Sequence, residues 1–271
     1  MAEPPRDPET AAALARLYDV DLAEDPGDVN LYLALAGRTG GPVLEIASGS
    51  GRVAVPLAEA GYEVTAVDID PAMLARAEKA IAGADPAVRS RVELVEADLV
   101  DLSLTGGPRF RLAILALNSI LLLATRDRQR DALQTMARNL APGGIAVVDV
   151  WVPSGDELAR YDGRVGLEYV RIDPETGLLV TKMASAQHEP ATGHVGLTTI
   201  YDESEPGGPT RRWIREDRLR LLNAEELRSL ADSAELDVEV LAGDYDLNPV
   251  GPHDERVILV ARRRGRPVSR P

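Results

Sequence analysis

Short apolar runs alternate with amphipathic stretches over residues 43–150, and this alternation constrains the fold more than any other feature of the sequence. The apolar runs lie at 43–47, 63–67, 92–95, 111–117 and 145–150, and helices are predicted between them at 51–60, 71–81 and 127–140. Strands that alternate with helices form a parallel sheet covered on both faces. Because such crossovers are right-handed, the sequence predicts a doubly wound sheet.

After Trp151 the alternation stops, and β segments follow one another with short turns between them. These segments are predicted at 167–172, 178–187, 194–201 and 211–219. Consecutive strands joined by short turns pair antiparallel. A helix at 223–234 and strands at 236–241 and 256–261 complete the larger sheet. We therefore expect an α/β fold with a doubly wound, seven-stranded, mostly parallel sheet and an inserted small antiparallel β cap.

The chain length of 271 residues suits one large domain that carries an insertion. Its first dozen residues are expected to be disordered, and helices are predicted at 11–18 and 28–35. The division expected from these patterns is an N-terminal helical cap at 1–42, an α/β domain at 43–151 and 223–264, and the inserted cap at 152–222.

Composition excludes several classes of function. The net charge of −14 repels phosphate backbones, so nucleic acid is not an expected partner. With no cysteine there is no disulfide or thiol catalysis, and the three histidines form no metal-spaced motif, so no metal is expected. The most apolar stretch, 112–124, is too short to span a bilayer, so a cytoplasmic protein without membrane contact is expected. The basic segment 262–266 is interpreted as a frayed, solvated terminus.

A glycine loop joins the first predicted strand to the next helix and is the clearest ligand-binding signal. Gly49 and Gly51 allow a sharp turn and a close approach of the backbone to a ligand at the helix N-terminus. Asp68 ends the second strand, at the distance expected for an acid that binds a ribose. The spacing from Gly49 to Ala54 also fits a dinucleotide fingerprint. These features indicate an adenosine-containing cofactor and leave NAD(P) open.

Three further features favour a cofactor other than a dinucleotide. Glu45 lies inside the first strand, where a nicotinamide site needs no acid. Asp98 follows the third strand, where its carboxylate can accept from an adenine amino group. The last helix and two strands do not fit the two-half arrangement of nicotinamide-binding proteins.

Four segments together resemble the motifs of class I S-adenosylmethionine (SAM)-dependent methyltransferases. The segments are VLEIASGSGR at 43–52, VDIDPAML at 67–74, EADL at 96–99 and LAPGG at 140–144. One departure is Ala47, where the family usually has glycine; a methyl group is a mild change there if φ stays negative. The resemblance implies a SAM-binding set formed by Tyr18, Glu45, Ala47, Ser48, Gly49, Gly51, Asp68, Ile69, Met73, Ala97, Asp98, Leu99, Leu117 and Asn118.

The resemblance also implies the reaction, which is methyl transfer to a nitrogen or oxygen atom of a small molecule. The inserted sheet is similar to that of methyltransferases acting on amines, amino sugars and other secondary metabolites. Candidate bases are Tyr18, His188 and His253, and candidate acceptor-binding residues are Asn118, Trp151 and Tyr245. A non-catalytic SAM-binding protein and an NAD(P)-dependent oxidoreductase are the alternatives. Trp213 on a cap strand is expected in the core or at a dimer interface, and a homodimer is expected to form through the cap sheet.

Overall fold

Two sheets make up the fold in the computed structural model, which describes residues 7–24, 26–104, 107 and 109–265. The strands are β1 (Val43–Ile46), β2 (Val64–Asp68), β3 (Val92–Glu96), β4 (Phe110–Leu115), β5 (Leu140–Trp151), β6 (Asp162–Ile172), β7 (Leu179–Glu189), β8 (His194–Ser204), β9 (Thr210–Arg220), β10 (Leu236–Ala242) and β11 (Arg256–Arg263). The helices are α1 (Pro8–Asp21), α2 (Val29–Thr39), α3 (Ala54–Glu59), α4 (Pro71–Gly83), α5 (Pro86–Arg89), α6 (Arg126–Asn139), α7 (Gly155–Leu158) and α8 (Ala224–Ser233), with a 3-10 helix at Ser119–Leu123.

The central sheet has seven strands in the order β10-β11-β5-β4-β1-β2-β3. Strands β1 to β5 run parallel, and β11 runs antiparallel to both of its neighbours. The cap is a separate antiparallel sheet in which β6 to β9 pair in chain order. The predicted fold class is therefore confirmed.

The central strands are buried on both faces, because helices cover the sheet from both sides. All four residues of β1 are buried. Leu44 and Ile46 belong to the apolar cluster on one face, and Val43 and Leu112 belong to the cluster on the other. Within the described ranges no helix is both long and apolar enough to cross a membrane.

Polar side chains cap the starts of helices α4 and α8. The side chain of Asp70 accepts from the N–H of Ala72 at 2.8 Å at the start of α4. Asn223 accepts from the N–H of Glu226 at 2.8 Å and caps α8. The LAPGG segment belongs to β5, which begins at Leu140 and therefore before the start predicted at residue 145.

Both ends of the described chain are more ordered than the sequence suggested. Helix α1 begins at Pro8, where Asp7 accepts from the N–H of Thr10 at 2.9 Å, so the expectation of disorder is wrong from residue 7 onward. Residues 1–6 lie outside the described part. The frayed-terminus interpretation is also wrong, because Arg262 and Arg264 bind Glu239 at 2.5 Å and Asp237 at 2.7 Å. The last residue of that segment, Arg266, is not among the described residues.

Helix α1 packs against one face of the cap. Its apolar side chains Leu14 and Leu17 pack with Tyr201 and Trp213 on one face of the cap. Trp213 is therefore on the inner face and 8% exposed, so of the two places expected for it, the core and a dimer interface, the structure shows the core. The sequence period of two could not show which face of the strand looks inward.

An arginine on α1 is expected to contribute strongly to stability. Arg16 donates to Glu203 at 2.6 Å and also binds Asp173, and the side chains of these acids are only 3% and 1% exposed. Arg16→Ala should lower the free energy of unfolding by about 3 kcal/mol, because it leaves two buried carboxylates without their counter-charge. Urea unfolding measures this change.

The matched control is Arg164→Ala, which removes an arginine that is 89% exposed in its pair with Asp162. Exposed ion pairs contribute little, so this variant should keep the wild-type urea midpoint. Equal midpoints for both variants would contradict the buried role of Arg16.

Candidate cofactor and active site

The candidate site lies where the parallel strands of the central sheet end. Strands β1, β2, β4 and β5 present their carboxyl ends at one edge, and β10 runs in the same direction. Ligands of open α/β sheets bind at this edge. The glycine loop, Asp68, Asn118, Trp151 and Tyr245 all lie in segments that begin there.

The glycine loop after β1 turns through three left-handed residues. The φ angles of Gly49 and Gly51 are 56° and 85°, which glycine adopts without penalty. Ala47 has φ 56°, so the condition of a negative φ, under which a methyl group would be a mild change, is not met. The left-handed conformation costs an alanine about 1 kcal/mol of conformational energy, which the contacts around the loop must offset. A Cβ on Gly49 would lie 3.6 Å from the Tyr18 ring, so the space above the loop is narrow.

Asp68 holds the glycine loop in place. Its Oδ2 accepts from the N–H of Gly49 at 2.7 Å, and its Oδ1 accepts from the N–H of Asp70 at 2.9 Å. Burial raises the pKa of Asp68, although these N–H groups favour the ionised form. Each carboxylate oxygen has a second lone pair, so the pair of oxygens can still accept from ribose hydroxyls.

Two buried polar atoms beside the loop have no partner in the described part of the chain. They are Oε2 of Glu45, a residue only 2% exposed, and Oγ of Ser48. Burial raises the pKa of Glu45 to about 8, and the nearby carboxylates of Asp68 and Asp28 add to this while Arg52 opposes it. An acid without a partner in this position suits a cation. The oxygen atoms of Glu45 and Ser48 therefore fit the ammonium group of SAM as hydrogen-bond acceptors.

The adenine end of the site follows β2 and β3. The N–H of Ala97 donates to the carbonyl of Asp68 at 2.9 Å, which brings the EADL segment next to Ile69. Asp98 accepts from the N–H of Val100 at 3.0 Å and from Arg128 at 2.7 Å. Partial burial alone would raise the pKa of Asp98, but these two bonds outweigh it and hold that pKa below its ordinary value. Two further predicted residues, Leu99 and Met73, are buried at 1% and 8% exposure.

The three predicted acceptor residues are brought together by a buried acid that the sequence did not reveal. Asn118 accepts from the N–H of Trp151 at 2.5 Å, and its own N–H donates to the carbonyl of Asp149 at 3.1 Å. The carboxylate of Asp149 accepts from Tyr245 Oη at 2.9 Å and binds Arg256. Asn118 has φ 65° and the preceding Leu117 has φ 45°, a conformation that surrounding contacts must hold.

The three candidate bases lie in different surroundings. Tyr18 lies against Gly49, and burial raises the pKa of its phenol to about 12. His188 is half-buried in β7 opposite Val195, and its backbone N–H donates to Tyr161 at 3.0 Å. His253 is exposed in the connection between β10 and β11. Of the three, the structure brings only Tyr18 to the glycine loop among the described contacts.

Sequence reasoning missed the polar cluster that joins α1 to the cap. Asp21 accepts from Tyr169 at 2.5 Å, from Tyr201 at 2.6 Å and from Lys182 at 2.9 Å. Its tyrosine partners lie 148 and 180 residues away in sequence, so no local pattern signals the contact. A second contact that sequence reasoning missed is the ion pair between Arg52 and Asp28, with two contacts of 2.7 Å. This pair joins the residue before α2 to the residue after the glycine loop.

The comparisons with known proteins agree with this geometry. A family model described as "Methyltransferase domain" matches residues 43–144. The chain is 32% identical over 267 residues to the cypemycin N-terminal methyltransferase of a Streptomyces species, which covers 97% of this chain and all of that protein.

Two solved structures share the fold over almost the whole chain. The CcbJ methyltransferase of Streptomyces caelestis is 26% identical, with a TM-score of 0.75 over 89% of this chain and 97% of that one. A SAM-dependent methyltransferase from Clostridium acetobutylicum has a TM-score of 0.76 at 17% identity, over 93% and 98% of the two chains. All of these matches are to methyltransferases, which decides against the nicotinamide-dependent alternative. The chain belongs to the class I SAM-dependent methyltransferases, with SAM as its cofactor.

Proposed function

We propose that this methyltransferase acts on an amine nitrogen of a small natural product, a class that includes the N-terminal amine of a short peptide. The observation that carries this is the 32% identity, over 97% of this chain, to a relative named as an N-terminal methyltransferase. The state of Tyr18, the candidate base held against the glycine loop, agrees with it. With a pKa raised to about 12 by burial, its phenol keeps its proton near neutral pH. It therefore cannot take a proton from an alcohol, whereas a neutral amine already has a free lone pair. The cypemycin relative, by its name, methylates an N-terminus.

The residues that would hold SAM follow from the polar groups at this edge of the sheet. Glu45 would bind the ammonium group, with Ser48 and the backbone of Ala47 and Gly49 beside the methionine part. Asp68 would accept from the ribose hydroxyls. The adenine would lie by Ile69 and Asp98, and Leu117 and Asn118 would lie near the transferable methyl group. Gly51, Met73, Ala97 and Leu99 would shape the walls of this site.

The protein's contribution to the reaction is placement and exclusion of water. Bound SAM supplies an electrophilic methyl group on a sulfonium sulfur. The chain aligns the acceptor with that group, which converts an encounter of two molecules into one oriented step. Asp149 fixes the segment at Asn118 and, through Tyr245, the loop after β10. The ring of Tyr18 lies against the glycine loop, and its phenol stays protonated near neutral pH.

Amine specificity is tested with acceptors that differ only in the reacting atom. Purified protein is mixed with SAM and with alaninamide or its hydroxyl analogue lactamide, and product masses are measured. We expect a methylated amine and no methylated hydroxyl, with activity lost in Asp68→Ala. The control Asp85→Ala changes an exposed aspartate without a side-chain cap bond and should keep wild-type activity. Transfer to lactamide alone would overturn the amine assignment.

The role of Glu45 is tested through two opposite effects of Glu45→Gln. Because burial raises its pKa from 4.5 to about 8, the unfolded chain loses this proton first as the pH rises. Stability of the cofactor-free protein therefore falls between pH 4.5 and 8, by up to about 1.4 kcal/mol per pH unit. The glutamine variant lacks this slope, so its advantage in urea unfolding should appear as the pH rises and level off above pH 8.

The same substitution should weaken SAM binding by about tenfold or more at pH 8.5, because the ammonium loses a charged partner. Isothermal titration measures this affinity. Glu59→Gln, at an exposed glutamate at the end of α3, is the control and should change neither quantity. Unchanged SAM affinity in a stabilised Glu45→Gln protein would contradict the ammonium role.

We also infer that a second copy of the chain covers the outer face of the cap. One cross-strand row on this face consists of Leu167, Met183, Ile200 and Ile214, with Leu167 66% and Ile214 50% exposed. The neighbouring Val165, Val170 and Ile172 are also exposed. A flat apolar face of this kind is self-complementary about a twofold axis, which is the commonest arrangement of homodimers.

Light scattering after size exclusion tests this interface. The wild-type protein should have the mass of a dimer, and the double variant Leu167→Lys, Ile214→Lys should have that of a monomer. Glu78→Lys adds a lysine at an exposed position of α4 and should remain dimeric. A monomeric wild type, or a dimer in the double variant, would show that the face is not the interface.

A further inference from the structure

The inner face of the cap carries an arginine above the edge of the central sheet. Side chains alternate along β9, so Trp213, Arg215 and Asp217 share its inner face. Trp213 packs with α1, whereas the other end of β9 contacts the 3-10 helix that follows β4. Arg215 and Asp217 therefore lie between α1 and the segment that starts at Asn118.

The carboxylate of Asp217 holds the guanidinium of Arg215 in place. The Nε and Nη2 atoms of Arg215 donate to the Asp217 carboxylate at 2.7 and 3.2 Å. The side chain of Asp217 is 6% exposed, whereas that of Arg215 is 35% exposed. The carboxylate thus fixes the guanidinium and leaves its outer edge accessible. Two of the five N–H donors of the guanidinium are used in these bonds. Among the described residues the other three have no hydrogen-bond acceptor, so they remain for a ligand.

The inner face of the cap opens toward β6. The cross-strand row through Arg215 continues with Thr199, Ala184 and Gly166, so the side chains become smaller along it. Thr199, next to Arg215, is buried, whereas a Cβ built on Gly166 at the far end of the row would have no atom within 4 Å. The guanidinium therefore shares one face with an open region at the β6 end of the cap.

Helix α1 links the inner face of β9 to the cofactor loop. Leu17 packs with Trp213, which lies on the same face of β9 as Arg215. The next residue of the helix is Tyr18, and its ring lies against Gly49. A molecule bound to Arg215 is therefore on the side of the cap that faces the loop where the methyl donor would bind.

We propose that Arg215, positioned by Asp217, binds a carbonyl or carboxylate oxygen that is next to the amine of the methyl acceptor. An accessible guanidinium that a buried carboxylate holds in place is a strong donor to such an oxygen. The acceptor class is thus an α-amino carbonyl compound, either an amino acid or the first residue of a peptide. This inference rests on the proposed amine acceptor.

Three probe amines test the inference in the full-length enzyme with SAM. Alaninamide carries a carbonyl oxygen, alanine carries a carboxylate, and isopropylamine carries neither. Arg215→Gln should raise KM for alaninamide or alanine by about tenfold or more, as expected for loss of a charged hydrogen bond. KM for isopropylamine and the affinity for SAM should stay unchanged. The comparison of alaninamide with alanine decides between the carbonyl and the carboxylate.

Arg212→Gln is the matched control, because Arg212 lies on the same strand but on the outer face. It makes the same two-point pair with Asp202, with both contacts at 2.7 Å. This variant should leave all three KM values unchanged. Arg215→Lys should recover part of the lost alanine affinity, because a cation is restored without the planar geometry.

The inference is overturned if Arg215→Gln leaves KM for both oxygen-bearing probes unchanged, raises that for isopropylamine equally or weakens SAM binding. Failure of the wild type to methylate any probe counts against the proposed function instead. Saturation-transfer NMR of alaninamide and alanine with the S-adenosylhomocysteine-loaded protein then decides the role of Arg215 without turnover. Signal from either probe that is kept in Arg212→Gln and lost in Arg215→Gln supports it, and any other pattern overturns it.

Discussion

The carboxylate of Asp68 is the group on which the arrangement of the cofactor edge depends. It can reach the glycine loop because β1 and β2 are neighbouring parallel strands that end at the same edge. Burial of a charge is costly, and the N–H groups of Gly49 and Asp70 offset part of that cost. The loop conformation, including the left-handed Ala47, is thus held by a residue about twenty positions downstream, and the direction of α3 follows from it.

Helix α1 connects this edge to the cap through two acids near its end. Asp19 faces the central sheet, where it accepts from Ser50 at 2.6 Å and from Arg76 at 2.5 Å. Asp21 faces the cap, where it accepts from two tyrosines and a lysine. Because Tyr18 lies on the same stretch of helix, its place over Gly49 depends on both attachments. The helix is therefore part of the site rather than an appendage before it.

The sequence predicted those parts of the site that local order determines. The glycine loop and Asp68 are consecutive with the strands that position them, so strand prediction was enough to bring them together. The cluster around Asp21 could not be predicted, because its partners are brought close only by the tertiary fold. The place of Trp213 could not be predicted for another reason. The alternation of side chains along a strand separates its two faces but does not show which face is buried. The left-handed φ of Ala47 was missed because the residue that normally signals it, glycine, is absent there.

The cap is inserted at a point of the chain where it does not interrupt the central sheet. The cap departs after β5 and returns before α8, while β11 still pairs with β5 through seven residues from Arg256 to Arg262. Hydrogen-bond register in the central sheet is thus independent of the cap's side chains. Substitutions along β6 to β9 can therefore change the inner face of the cap without disturbing the glycine loop. On the proposal that Arg215 binds the acceptor, such a chain is suited to diversification within one family, because the cap can vary while the cofactor loop is retained.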